Sequence, residues 1–166
     1  MTYWTARVAM LLLALGFALR MASSRRPGWL RVTRWIWTLG CVIYLVHVAC
    51  AFQFVHHWSH SAAHAATASQ TLHVVGLRSG AGLYASYAFT LVWLGDVCWW
   101  WLGPRSYETR STVIEWIIQG FLGFMAFNAT VVFANGITRW AGVLVCFILL
   151  AAWPLLRRSP SSWITT

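Results

Sequence analysis

WIWTLGCVIYLVHVACAFQFVHH at residues 35–57, continued by WSHSAAHAATASQTLH at 58–73, is the stretch from which the architecture is read. Its first part, Trp35 to His56, is an apolar run of the length a helix needs to cross a bilayer, about 20 residues. Its second part contains no Pro and no Gly and is rich in Ala, the best helix former. The composition predicts one helix that crosses the membrane from residue 35 to 56 and continues towards His73 beyond the outer surface. At the angular step of an α-helix, Gln53, His56, His57, His60, His64, Thr67 and Thr71 then share an arc about 100° wide. His47 points the other way.

Working outward, four more apolar runs reach spanning length: residues 3–21, 82–102, 113–134 and 137–156. Asn135-Gly136 separates the last two and predicts a tight antiparallel hairpin. Gly103-Pro104 follows the third run and predicts its end. The fold class is therefore all-α, a polytopic transmembrane bundle of about five spanning helices with helix two extended. Residues 1–166 form a single transmembrane domain, because the intervening stretches are too short to bury cores of their own.

Composition agrees. The chain is 60% hydrophobic and 9% charged, with a mean hydropathy of +0.64. Soluble domains carry roughly a quarter charged residues to cover their surface. The net charge of +9 comes from arginines, most of them between apolar runs. That is the pattern of topology signals and phospholipid contacts, not of a nucleic-acid face. Cys41, Cys50, Cys98 and Cys146 lie inside apolar runs without CxxC spacing, so neither a disulfide framework nor a zinc ribbon is indicated.

Arginine placement gives an orientation. Arg20, Arg25, Arg26, Arg31, Arg34, Arg105, Arg110, Arg157 and Arg158 fall on one side of a five-crossing chain, and Arg7, Arg78 and Arg139 on the other. The richer side is cytoplasmic by the positive-inside rule, which places the N-terminus outside and the C-terminus inside, as in a bacterial inner (plasma) membrane. The charge after the first run also favours a retained helix over a cleaved signal. Most tryptophans fall at predicted span ends, as interfacial anchors should, and Trp93 lies well inside.

The residues with chemical potential are the histidines, all between His47 and His73. Imidazole is a common ligand for zinc, copper and iron, and His pairs at i, i+3 or i, i+4 can chelate one ion. The expected metal set is His57, His60 and His64, completed by His56 or His73, with Cu, Fe or Zn as the ion. Tyr84, Tyr87 and Asn128 are the expected neighbours that orient the imidazoles. Haem b is disfavoured, because the other four helices contain no His to oppose helix two; a partner would have to be Met125 or a second copy. Asp96 is the one carboxylate well inside a span, and an ionisable group there is expensive. It could meet His47, or bond a hydroxyl, an amide or a tryptophan indole of a neighbouring helix, or pair with an interfacial arginine such as Arg34.

Three functions remain open on these residues. One is a metal-centred membrane protein for redox chemistry or metal handling. Another is a non-catalytic interaction subunit of a larger membrane complex, with membrane-protein partners or further copies of itself. The third is a proton-coupled carrier built on His47 and Asp96. Nucleophile motifs, phosphate loops and paired carboxylates are lacking, so no reaction class is assigned.

Overall fold

The computed structural model describes residues 2–23 and 28–157, and among these there are helices and turns but no strand. The elements are α1 (Thr2–Ser23), α2 (Trp29–Phe54), α3 (His60–Val75), α4 (Ala81–Leu102), α5 (Pro104–Glu108), α6 (Thr112–Phe127), a π-helical turn (Asn128–Val132) and α7 (Ile137–Arg157). Within these, Trp4–Ala22, Trp29–Phe54 and Thr112–Val132 are long and apolar enough to cross a membrane. That fits an integral membrane protein.

Indole rings set the packing. Gly16 of α1 lies against Trp37 of α2, where an added Cβ would come within 2.5 Å of the ring. Gly40 of α2 plays the same part for Trp93 of α4, at 3.0 Å. With Thr5 beside His47 at the other end, α1 and α2 pack antiparallel. Helix α4 occupies the centre, burying Leu83, Phe89, Trp93, Asp96, Val97 and Trp100. The rings of Phe17, Trp37, Trp93, Phe89 and Tyr44 form a chain of contacts with centroids 4.9–5.7 Å apart, the spacing at which aromatic pairs attract.

The expected continuous rod from Trp35 towards His73 is absent. Helix α2 stops at Phe54, and α3 begins afresh at His60. His56 N donates to Ala51 O at 3.1 Å and Trp58 N to Phe52 O at 3.0 Å, bonds wider than the α-helical step that close the helix. His57 and Trp58 both take positive φ, 49° and 58°, conformations that glycine usually supplies. Trp58 Nε1 donates to Gln53 Oε1 at 2.7 Å and holds the turn. Ser59 then caps α3 by accepting from Ala62 N at 3.2 Å. Local turn and cap bonds thus outcompete helix propensity, which favours continuation only weakly.

Helix α3 packs on α4 through its first half. His60 and His64 meet Tyr87 and Tyr84, and Thr67 lies against Gly82. The remainder of α3, through Leu72 to Val75, runs past the start of α4, and Gly76 in the left-handed region ends it.

Helix α4 ends at Leu102, and Pro104 starts the short α5, where its missing N–H costs nothing. Beyond α6, Phe133 N donates to Asn128 O at 2.9 Å across five residues, the hydrogen-bond step of a π-turn. Gly142 of α7 sits on that turn, with space for no more than a hydrogen beside the Thr130 carbonyl.

Candidate functional site

Two polar clusters occupy opposite ends of the bundle. At the first, the ring of His60 lies 6.5 Å from that of His64 and 5.9 Å from both Tyr84 and Tyr87. His60 Nδ1 and the Tyr87 hydroxyl are 3.1 Å apart. The imidazole of His64 fills the space above Gly80, so any side chain at 80 would strike it. Two of the five expected ligands are therefore brought together, with both expected tyrosines.

The other three are not. His56 stacks edge-on against Phe52 in the turn, His57 is exposed at its positive φ, and His73 is exposed on the last turn of α3, beyond α4. Among the described residues no group of three or more His, Cys, Asp or Glu is placed to hold a metal ion. The physical reason is the break at residues 55–59, which removes the common face. Asn128 does not join the cluster; its Nδ2 donates to Phe124 O at 2.8 Å in its own helix. His47 lies beside Thr5 at 3.2 Å. Asp96 is level with Trp37, about 15 Å lower along α2 at the rise of an α-helix, so the expected His47–Asp96 contact does not form.

The second cluster surrounds Asp96. Its Oδ1 accepts from Arg110 Nη1 at 2.7 Å, and both side chains are almost completely buried, 0% and 2% exposed. Oδ2 accepts from Trp37 Nε1 at 2.9 Å and from the Tyr107 hydroxyl at 3.0 Å. Tyr107 in turn accepts from Arg20 Nη1. Glu115 closes the ring, 3.4 Å from Arg20 and 3.9 Å from Arg110. Five elements are joined: α1, α2, α4, α5 and α6, with Arg110 on the link between the last two. Two arginines balance two carboxylates, and Arg110 lies 4.0 Å over the Tyr107 ring. A buried carboxylate is tolerable only when paired and hydrogen-bonded in this way.

Burial pushes the Tyr107 hydroxyl up to about 12, and neighbouring Asp96 adds to the rise, while Arg20 and Arg110 pull against it. The group stays protonated and donates to Asp96. Tyr107 also stacks on Trp100, with centroids 4.6 Å apart and planes 11° from parallel.

Of this network, Asp96 was legible in the sequence, and an indole and a hydroxyl were among several partner types expected for it. Arg34 is not its partner: it lies 3.7 Å over Trp101, whose indole donates to Thr38. Arg110 reads in sequence as one more topology charge. Trp37 and Trp100 read as interfacial anchors, yet they are 0% and 4% exposed. Gln119 was also missed. Both polar atoms of its amide are shielded and lack a hydrogen-bond partner, a condition costing about 1–3 kcal/mol that calls for an explanation.

Comparison with known proteins finds no match: no family model, curated protein or solved structure is similar to the chain.

Proposed function

We propose that the chain is a five-crossing membrane protein acting as a non-catalytic interaction subunit of a bacterial-type inner-membrane complex, with its N-terminus outside and C-terminus in the cytoplasm. Helix α4 has 22 residues, about 33 Å at the helical rise and enough to cross. Its tryptophans, tyrosines and Asp96 lower its apolar character, which suits a helix wrapped by neighbours more than by lipid. Helix α7, at 21 residues, supplies the fifth crossing. The arginine distribution supports this orientation.

The observation that carries the interaction reading is the far end of α3. It projects past α4 and exposes Leu72, Val74, Val75 and Leu77 together. Apolar side chains gathered at a projecting tip are a contact surface for another protein, while the ionic network holds the opposite end of the bundle rigid. A photoreactive amino acid at Leu72 or Val75, irradiated in native membranes, gives one discrete protein adduct, whereas Leu91 on the outer face of α4 gives lipid adducts. Lipid adducts at all three positions, together with a monomer in mild detergent, would refute the reading.

A metal reading rests on His60 and His64, an i, i+4 pair on one helix with ring centroids 6.5 Å apart. Two imidazoles make half a tetrahedral site, so the same partner would supply the remainder for copper, iron or zinc. Elemental analysis of the intact complex checks it: stoichiometric metal disappears in the His60→Ala/His64→Ala variant.

A further inference from the structure

The bundle is open along one side. Between α1, α6 and α7 lie two adjoining cavities: one of about 640 Å3 beside Arg20, Glu115 and Gln119, and one of about 490 Å3 that reaches Arg7. Phe17, Gly123, Leu149 and Leu150 line both, so they form one groove. Arg7 and Arg20 lie about 20 Å apart along α1 at the rise of an α-helix. The walls between them are largely apolar, and Gly120 opens on empty space: a Cβ there would meet nothing within 4 Å.

One end of this groove has an uncompensated polar group. The Gln119 amide offers a donor and an acceptor, and neither is used. A hydroxyl satisfies both, donating to Oε1 and accepting from Nε2. Charge narrows the choice further. Arg20 and Arg110 are balanced by Asp96 and Glu115, so the site calls for an uncharged head.

We propose that the groove holds a long-chain lipid alcohol, its single apolar chain lying between α1, α6 and α7 and its hydroxyl head at Gln119. The groove has the length of such a chain, the apolar walls that a chain needs and the hydrogen-bonding end that an alcohol completes. It is separate from the tip of α3, so the two readings stand or fall independently.

Hexadecanol bearing a photoreactive diazirine in its chain is the probe, mixed with full-length protein in detergent. Irradiation and peptide mapping place the label on α1, α6 and α7, and unlabelled hexadecanol competes it away. Gly120→Leu fills the groove and lowers labelling at least fivefold, while Gly95→Leu, which also enters open space, leaves it unchanged. Gln119→Leu removes the preference for hexadecanol over its methyl ether, and decides the matter if Gly120→Leu does not fold. Label spread evenly over the outer surface, including α4, overturns the proposal. Stronger competition by hexadecyl phosphate overturns the uncharged head. A protein that runs as a dimer in mild detergent and takes no label in the groove overturns the lipid and assigns the groove to a second copy.

Discussion

Arg110 is the residue on which the buried charge of this protein depends. It neutralises a carboxylate that no solvent reaches, and removing one member of such a pair leaves the other uncompensated. Arg110→Met is expected to lower stability by about 3–5 kcal/mol in detergent thermal melts. Tyr107 gives a pH signature of the same network. Its folded-state value of about 12 exceeds the ordinary 10.0, so its contribution is complete below pH 10 and fades as pH rises towards 12. A tyrosinate absorbance titration shows this as a late step that Tyr107→Phe abolishes. The sequence made Asp96 conspicuous because a carboxylate inside a span needs a partner. It could not identify Arg110, which lies 14 residues away and returns to Asp96 only through the α5 turn.

At the scale of elements, the C-terminal end of α4 was legible because Gly103-Pro104 punctuates the chain. The break between α2 and α3 was not, because no Gly or Pro marks it. His57 and Trp58 adopt the left-handed conformation that would have been expected of glycine. That substitution has a testable cost. His57→Gly is expected to raise stability by up to about 1 kcal/mol, read in thermal melts, since relief of strain exceeds the added chain entropy. Helix pairing can be tested at the α1–α2 contact. Gly16→Ala forces a methyl group to 2.5 Å from the Trp37 ring, and overpacking of this kind costs about 1–3 kcal/mol. The histidines do not share one face for the same reason that the break was invisible. A common face assumed a single helical phase through residues 55–59.

For the whole molecule, the proposed five crossings have a direct consequence for accessibility. A cysteine placed at Ser79, in the link between α3 and α4, reacts with an impermeant maleimide from outside intact cells. One placed at Glu108, at the end of α5, reacts only after permeabilisation. Equal reactivity at both positions would refute the odd number of crossings between them. The apolar runs made an all-helical chain with membrane-length helices readable from sequence, whereas the open side between α1, α6 and α7 depends on how the last helix is seated. That seating follows from the π-turn at Asn128–Val132, where Gly142 rests on Thr130. A π-turn carries one residue more than the α-helix it interrupts. Deleting Ala129 would restore a regular coil and remove the widened backbone on which Gly142 rests. Helix α7 would lose that seat, so a single surplus amino acid sets how Ile137–Arg157 meets the rest of the bundle.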